Sequence, residues 1–330
     1  MNVVLIFDEN QKCTTGLYIY KELKKMGINV KVTTSDKIKN DIKSTDDLVL
    51  AIDDSNHYIL DIEFYPKAIW LIDTHLSFIC DKVMAECFDF VFVAQKDAAE
   101  KLKNKIPCVY WLPLAGDVEY HGKKNVPIKY DISFIGNLGW GKRRIILSEL
   151  INRYPNNYIG HAECEKIGEI YSASKIVVNY SIKNDINMRI FEAMCAGSLL
   201  ITNQINNGLD EIFVIGNELI TYNNTLEDLI DKINYYLKHE SEREKIAKNG
   251  FEKVINFHTY YHRVKFILNQ IERNKKTMLC IKSNKKVKVL KLKLKLNEIV
   301  LFITRGIITR LEKVQVYLWL ALRSLKILKF

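Results

Sequence analysis

The stretch NMRIFEAMCAGSLLITN (187–203) contains the residues that decide the predicted fold. Its first half predicts a helix, Gly197 suits the turn that ends a helix, and SLLITN (198–203) is an apolar run typical of a buried strand. Arg189 and Glu192 lie three residues apart and therefore on roughly one face of that helix. A guanidinium and a carboxylate displayed beside a buried strand indicate a polar binding site.

On both sides of this stretch, short apolar runs alternate with helical patterns, as parallel α/β sheets require. In the first part of the chain the predicted strands are NVVLIF (2–7), INVKVTT (28–34), DLVLAIDD (47–54), AIWLIDTH (68–75), FDFVFVAQ (88–95) and CVYWLPLAG (108–116). In the second part they are DISFIGN (131–137), KIVVNYS (175–181) and SLLITN, with helices over 14–27, 143–154, 188–197, 225–239 and 240–255. Two such blocks predict two doubly wound domains with a ligand cleft between them.

The domain boundaries follow from composition. Residues 1–117 form the predicted N-terminal domain, and the polar stretch 118–130 forms the linker. Residues 131–274 form the predicted C-terminal domain, and 275–330 form a basic amphipathic tail.

The net charge of +10 is not spread evenly along the chain. Residues 275–330 contain 15 Lys or Arg and two acids, a net of +13, whereas residues 1–274 contain 34 basic and 37 acidic residues, a net of −3. The body therefore lacks the basic character of a nucleic-acid groove, and we expect no nucleic-acid partner. The tail lacks an uninterrupted apolar run long enough to span a bilayer, but its cations and aromatic residues make an anionic membrane surface a candidate partner. A helical extension packed on the body or on a second copy is the alternative.

Seven cysteines are scattered without two-residue spacing, so they predict reduced thiols rather than a zinc or thioredoxin-like site. The amino terminus has no basic segment, and its apolar run is too short for a signal sequence. These features predict a cytoplasmic protein.

Several motifs resemble those of glycosyltransferases with the GT-B fold, and more closely the CgeB-like, group 1 type. They are 187–203, WLIDTH (70–75), FDFVFVAQKDAAEKL (88–102), YWLPLAGDVEYH (110–121), YDISFIGNLGWGKR (130–143), SKIVVNYS (174–181) and FHTYYHR (257–263). The resemblance covers about residues 60 to 270. It implies two Rossmann-like domains facing a cleft, with residues 1–117 as the acceptor-side domain and residues 131–274 as the nucleotide-sugar-binding domain. It also implies a nucleotide-sugar donor, UDP- or GDP-linked, as substrate with no separate cofactor.

The resemblance assigns Glu192 to the two ribose hydroxyls of the donor, and a carboxylate suits that task because it accepts two hydrogen bonds. Arg189 then neutralises the diphosphate as the bond to the sugar breaks. The loop GNLGWGKR (136–143) lets its backbone approach a phosphate closely while two cations add charge. Further candidate donor contacts in and beyond this loop are Gly136, Asn137, Gly139, Lys142, Arg143, His161 and Asn187.

In the first domain, Asp73 and His75 are predicted to end a strand at the cleft. We expect His75 to act as a base or to bind acceptor or donor sugar, with Asp73 orienting it; a structural histidine is the alternative. Retaining members of this fold often have a second glutamate eight positions before the ribose-binding one, and here that position is Asn184, with Asp185 adjacent. Asp46–Asp47 and Asp53–Asp54 are interpreted as loop residues, so no metal site is expected.

Together these features predict a metal-independent enzyme that transfers a hexose from a nucleotide-sugar to a saccharide, protein or cell-surface acceptor. A nucleotide-sugar epimerase of the same fold would use the same Arg189 and Glu192. A non-catalytic, membrane-apposed interaction protein that keeps the fold is the third alternative.

Overall fold

The computed structural model of the chain describes residues 1–34, 37–53, 64–278 and 287–324. The described residues do not include Asp54 or Cys280. They also leave out two segments of the predicted tail, 279–286 and 325–330. Where the structure describes the chain, it consists of two α/β domains and a long C-terminal helix.

The first domain is built on a parallel six-stranded sheet in the order β2-β1-β3-β4-β5-β6. The strands are β1 (Asn2–Ile6), β2 (Asn29–Thr33), β3 (Leu48–Ile52), β4 (Lys67–Leu71), β5 (Phe90–Val93) and β6 (Val109–Trp111). Every residue of β3 and of β5 is buried, because helices cover both faces of the sheet. The helices of this domain are α1 (Thr15–Lys25), α2 (Ile38–Asp41), α3 (Thr74–Ala85) and α4 (Lys96–Lys103).

The second domain has a parallel five-stranded sheet in the order β11-β10-β9-β7-β8. Its strands are β7 (Tyr130–Ile135), β8 (Asn157–Gly160), β9 (Ser174–Asn179), β10 (Leu199–Asn203) and β11 (Ile220–Tyr222). Its helices are α5 (Gly141–Arg153), α6 (Cys164–Ser172), α7 (Met188–Cys195), α8 (Leu209–Ile212), α9 (Leu226–Lys238) and α10 (Glu240–Phe257). The stretch 187–203 thus forms α7 and β10, with Gly197 at φ +79° in the turn between them.

The helix α11 (Tyr260–Met278) packs against the first domain, although the predicted boundary at residue 274 assigns most of it to the second domain. The Tyr260 ring lies 4.8 Å from the ring of Tyr18 in α1, and the Arg263 Nε donates to the carbonyl of Pro113 at 2.7 Å. The chain therefore returns to the first domain after α10. An amphipathic pattern shows that a helix has a face to bury, but it does not show which body covers that face.

The predicted linker is also more buried than its polar composition indicated. Asp117 and His121 are 1% and 0% exposed, and Asp117 Oδ1 accepts hydrogen bonds from the backbone N–H groups of Glu119 and Tyr120. The polar side chains of this segment satisfy its own turn and are covered by both domains. The buried residues are thus Asp117, directly before the predicted linker 118–130, and His121 within it, whereas Val118 is 53% exposed.

The structure also corrects the prediction that all cysteines are reduced. Cys13, in the loop before α1, is bonded to Cys164, the first residue of α6, with their Cα atoms 5.4 Å apart. The two residues lie 151 positions apart in sequence and in different domains, so dispersed spacing could not reveal the pair. Cys80, Cys87, Cys108 and Cys195 form no disulfide bond within the described ranges.

The described part of the tail is the helix α12 (Val287–Ser324), which packs against α3 of the first domain and α5 of the second. Across the described ranges, no helix combines the length and apolar character needed to cross a bilayer.

Candidate active site

The glycine-rich loop of the second domain follows β7 at the carboxyl edge of the sheet. Gly136, Gly139 and Gly141 all have positive φ values, of +142°, +62° and +64°. Asn137 Oδ1 accepts a hydrogen bond from the Gly139 N–H at 2.7 Å, which fixes the turn before α5 begins at Gly141. The loop therefore brings exposed backbone to the end of the strand.

Arg189, on the first turn of α7, lies directly against this loop. Its Nε donates to the carbonyl of Ile135 at 2.8 Å, and one Nη donates to Asn179 Oδ1 at 2.7 Å. The guanidinium carbon lies 3.9 Å from the centre of the Phe134 ring. These contacts hold the planar group at the ends of β7 and β9 while leaving its remaining N–H donors for a ligand.

A second guanidinium, that of Arg143 on α5, lies close to the first. Burial and the positive charge of Arg189 lower the pKa of Arg143. Its Nε is buried and has no hydrogen-bond partner among the described residues. Neither arginine forms an ion pair with a carboxylate in the described part of the chain. Glu312 acts on Arg143 from beyond ion-pair distance and opposes this lowering of the pKa. Two cations held together without an ion-paired carboxylate form a site suited to a dianionic group.

Lys142, the neighbour of Arg143, is exposed on the first turn of α5. The structure therefore brings Gly136, Gly139, Arg143 and Arg189 together, while Lys142 lies at the rim.

Glu192 lies one turn further along α7 and faces the junction of the two domains. It is 8% exposed, and its Oε1 lies 3.6 Å from Nε2 of the fully buried His121. His121 Nδ1 accepts from the backbone N–H of Asp117 at 3.1 Å, which leaves the ring proton on Nε2. Burial lowers the pKa of His121, so a neutral ring presents this N–H towards Glu192 and the Tyr18 hydroxyl, which is 3.1 Å away.

Tyr171 connects the two candidate residues of α7. Burial raises the pKa of its hydroxyl, with Arg189 opposing and Glu192 reinforcing the change, so both charged groups lie near it. The Tyr171 oxygen also accepts from the N–H of Ile135 at 3.3 Å. Glu192 makes no hydrogen bond within the described residues, so both of its oxygens remain to accept from a ligand.

On the first-domain side, Asp73 and His75 do not end β4 as predicted. The strand stops at Leu71, Asp73 is the residue before α3, and His75 is the second residue of that helix. The carboxylate next to His75 is Asp185 of the second domain, with 3.9 Å between His75 Nε2 and Asp185 Oδ2. Asp73 raises the pKa of His75 from a greater distance, and burial lowers it more strongly. Asp185 is therefore a second carboxylate beside His75, contributed from across the cleft, and the orienting role of Asp73 stays a prediction.

Gln95, buried at the end of β5, fixes Asp185 in this position. Its amide nitrogen donates to Asp185 Oδ1, and its amide oxygen accepts from the Ile186 N–H and from Asn207 Nδ2, both at 3.2 Å. One first-domain amide thus holds two segments of the second domain. Gln95 and Asn207 could not be predicted from the sequence, because an amide at a strand end has no distinctive local pattern.

The remaining predicted donor residues lie at the edge of the site. Asn187 precedes α7, and its Nδ2 donates to Asn179 Oδ1 at 3.2 Å, the acceptor that Arg189 also uses. Its own Oδ1 is buried without a partner in the described ranges. His161 follows β8 with an exposed side chain, one residue after Gly160, whose carbonyl accepts from the Gly136 N–H at 2.8 Å.

Asp46 lies before β3 and Asp53 directly follows it. Asp53 Oδ2 accepts from the Ile72 N–H at 3.3 Å, and Asp46 Oδ2 accepts from the Lys43 N–H at 2.7 Å. Within the described ranges, no group of three or more His, Cys, Asp and Glu side chains is arranged to hold a metal ion.

Solved structures support the assignment of the fold. HepE of Anabaena, solved in complex with UDP and glucose, aligns with a TM-score of 0.62 at 11% identity over 83% of this chain and 100% of its own. Sucrose-phosphate synthase from Thermosynechococcus elongatus aligns with a TM-score of 0.60 at 13% identity, covering 83% and 98% of the two chains. An alpha-glucosyltransferase solved with UDP and a 13-mer DNA aligns with a TM-score of 0.61 at 10% identity, covering 82% and 99%.

Sequence comparison gives a partial match. A search of curated proteins finds none that matches this chain. A family model described as "Glycosyl transferase-like" matches residues 119–269, which include the glycine-rich loop, Arg189 and Glu192. The chain therefore has the GT-B fold, and its second domain matches the glycosyl transferase-like family model.

Proposed function

We propose that the protein is a glycosyltransferase that moves a hexose from a nucleotide-sugar to a saccharide, protein or cell-surface acceptor. The observation that carries the proposal is the Arg143–Arg189 pair, two cations with no ion-paired carboxylate in the described ranges, beside a glycine-lined loop and one helical turn from Glu192. A diphosphate and a vicinal diol are the two groups that such a site binds. The family match over residues 119–269 and the UDP-bound neighbours of the same fold support it.

Each part of the donor has a chemically suitable partner. The diphosphate lies at the glycine-rich loop, where Arg143 and Arg189 share its charge. The ribose hydroxyls donate to the two oxygens of Glu192, whose orientation the neutral His121 supports. Neighbours solved with UDP, or with UDP and glucose, favour a UDP-linked hexose over the GDP-linked alternative.

In the transfer step, an acceptor hydroxyl oxygen bonds to the anomeric carbon while the bond from that carbon to the diphosphate oxygen breaks. The electron pair of the broken bond remains on the diphosphate, where the two guanidinium groups stabilise the additional charge. The hydroxyl proton goes to a base, for which His75 and Asp185 are the candidates at the first-domain side. Because the arginines supply the positive charge, we propose a reaction without a metal ion or separate cofactor, in the cytoplasm.

A nucleic-acid acceptor is not part of the proposal. One neighbour was solved with DNA, but here the residues outside the tail carry a net charge of −3. A groove that follows a phosphate backbone needs the opposite charge.

Calorimetric titration with UDP, GDP and their sugar conjugates tests the donor site. We expect the Glu192→Ala substitution to weaken donor binding by about 1.5 to 3 kcal/mol, the loss typical of charge-assisted hydrogen bonds. Glu165→Ala, which removes an exposed carboxylate from α6, is the matched control and leaves the affinity unchanged. Equal affinity in the Glu192→Ala and wild-type proteins would contradict the ribose assignment.

Analysis of the products separates the three functions that use this fold. Release of free nucleotide that depends on an added acceptor identifies a transferase. Conversion of the nucleotide-sugar without an acceptor identifies an epimerase. Absence of binding to all the nucleotides identifies a non-catalytic protein.

A further inference from the structure

The helix α12 connects the two domains over the mouth of the cleft. In its first half, Leu290 and Leu294 are buried in the first-domain core. Asn297 Nδ2 donates to the carbonyl of Ile79 at 2.7 Å, and Arg305 Nη2 donates to that of Leu76 at 3.2 Å. Leu76 directly follows His75, so this half of α12 lies along the start of α3, next to the candidate base.

The second half of α12 lies on the second domain, beside the donor loop. A Cβ atom placed on Gly141 would lie 3.3 Å from Glu312 Cγ, and Lys313 Nζ lies 5.1 Å from the centre of the Trp140 ring. Val316 and Trp319 are buried further along the helix. Since α3 and α5 both begin at the cleft, the helix that crosses their first turns borders the opening through which substrates enter.

The outer face of α12 is apolar and exposed. Ten exposed apolar or aromatic residues fall within about 120° of the helix circumference, at the 100° step per residue of an α-helix. They are Leu292, Leu296, Ile299, Val300, Ile303, Ile307, Leu311, Val314, Tyr317 and Leu318. The buried Leu290, Leu294 and Trp319 project to the opposite side. The helix is therefore apolar on two faces, and the body covers one of them.

The exposed cations of α12 lie along the apolar stripe: Lys295 and Lys313 flank one side, Lys293 lies at the other edge and Arg310 lies within it. Lys293, Lys295, Arg310 and Lys313 are exposed, whereas the two acids Glu298 and Glu312 are only half-exposed and lie towards the body. A second copy of the chain would bring cations against cations at this face. An anionic lipid surface instead complements both the apolar stripe and the cations beside it.

We propose that α12 docks on anionic phospholipid membrane and holds the mouth of the cleft at the bilayer surface. The contact needs no membrane-crossing segment, because the helix lies in the plane of the interface with its outer stripe among the lipid chains. The class of acceptor follows from this docking and rests on the proposed transferase function. The acceptor is a molecule carried at the membrane surface, such as a lipid-linked sugar.

Co-sedimentation of the full chain with vesicles tests the docking. We expect the wild-type protein to bind vesicles that contain phosphatidylserine far more strongly than vesicles of phosphatidylcholine alone. The double substitution Ile303→Glu, Ile307→Glu lowers binding at least tenfold, because it puts two carboxylates into the stripe. The control Ile128→Glu, Val214→Glu changes two residues of matched exposure on the body and leaves binding unchanged.

Two results overturn the proposal. One is equal sedimentation of the wild-type protein and the Ile303→Glu, Ile307→Glu variant with phosphatidylserine vesicles. The other is a wild-type dimer in lipid-free buffer, measured by light scattering, that the same variant dissociates, which would show that a second copy covers the stripe. Calorimetric titration of the variant with the nucleotide-sugar donor shows that the variant is folded. The same titration separates loss of membrane binding from failure of the proposed donor site.

Discussion

Asp185 is a carboxyl group held between the two domains with little access to water. Burial raises its pKa to about 7, with the nearby Asp73 contributing in the same direction. A residue of this kind couples folding to pH, because the folded chain binds a proton that the unfolded chain releases near pH 4.

The direction of the pH dependence follows from that difference. Below the unfolded pKa of about 3.8, the carboxyl group is neutral in both states. As the pH rises towards about 7, the unfolded chain loses the proton first, so the contribution of Asp185 to the free energy of unfolding decreases. Above about 7 the carboxyl group is ionised in both states, and its contribution becomes constant.

We therefore expect the free energy of unfolding of wild type minus that of Asp185→Asn to fall between pH 4 and pH 7 and to level off above. Asparagine is neutral throughout, so subtracting the variant removes the contributions of most other groups. Urea unfolding at a series of pH values measures the difference. Asp210→Asn, at an exposed carboxyl of α8, should show no such trend; a flat difference for Asp185 would mean that its carboxyl group is not desolvated.

Local motifs predict where a residue lies in the fold. The sequence predicts Arg189 and Glu192 on one helix that precedes a buried strand, and α7 and β10 have this arrangement, while the roles of the two residues towards a donor stay predictions. The partner of His75 could not be assigned, since Asp185 is 110 positions away and only the packing of the domains brings the two within 3.9 Å. The full burial of His121 could not be predicted, because its neighbours in sequence are mostly polar.

At the scale of elements, the turn from β7 into α5 determines how Arg189 is held. A Cβ on Gly136 would lie 2.3 Å from an Nη of Arg189, and the residue has a φ of +142°, where side chains are strained. An alanine at this position must displace the guanidinium or change the backbone of the loop. Either change moves a cation away from the diphosphate.

We predict that Gly136→Ala weakens binding of a nucleoside diphosphate about tenfold or more, close to the loss caused by Arg189→Ala, because each removes a charge-assisted contact. Gly160→Ala is the matched control, because Gly160 ends the neighbouring strand β8 and a Cβ there meets no atom within 4 Å. Calorimetry with UDP measures all three variants. Normal affinity in Gly136→Ala would show that Arg189 does not contact the diphosphate.

The strands that the sequence did not reveal are short or half-exposed. The strand β8 has four residues, none of them buried, and β11 has three, so neither forms an apolar run that stands out. The predicted strand 68–75 runs past the end of β4 at Leu71, because the polar residues after the apolar run belong to the start of α3 at Thr74. The fully buried strands β3 and β5 were recognised because their burial on both faces appears directly as composition.

For the whole molecule, the sequence predicted two domains and a separate tail, and the structure adds the connections between them. These are the return of α11 to the first domain, the position of α12 across both domains, the Gln95 contacts and the Cys13–Cys164 bond. All of them join residues far apart in the chain. Such contacts depend on how complete domains pack, which periodicity and local composition do not encode.

The Cys13–Cys164 bond should stabilise the closed arrangement of the domains. It joins the loop before α1 to the start of α6, and the Tyr18 hydroxyl lies 3.6 Å from Cys164 Sγ, so it borders the cluster that faces Glu192. A crosslink across 151 residues removes much of the freedom of the unfolded chain, typically about 2 to 4 kcal/mol. Reduction should therefore lower the temperature of unfolding.

Thermal unfolding with and without dithiothreitol measures this effect, and the double variant Cys13→Ser, Cys164→Ser is the control that should not respond to the reductant. Alkylation of the denatured, unreduced protein followed by mass spectrometry should find two of the seven cysteines protected. Seven alkylated cysteines, together with equal unfolding temperatures in both buffers, would show that the thiols are reduced and that the domains are held by noncovalent contacts alone. Because the cytoplasm keeps most thiols reduced, protection in protein taken directly from cells would also count against the proposed cytoplasmic location.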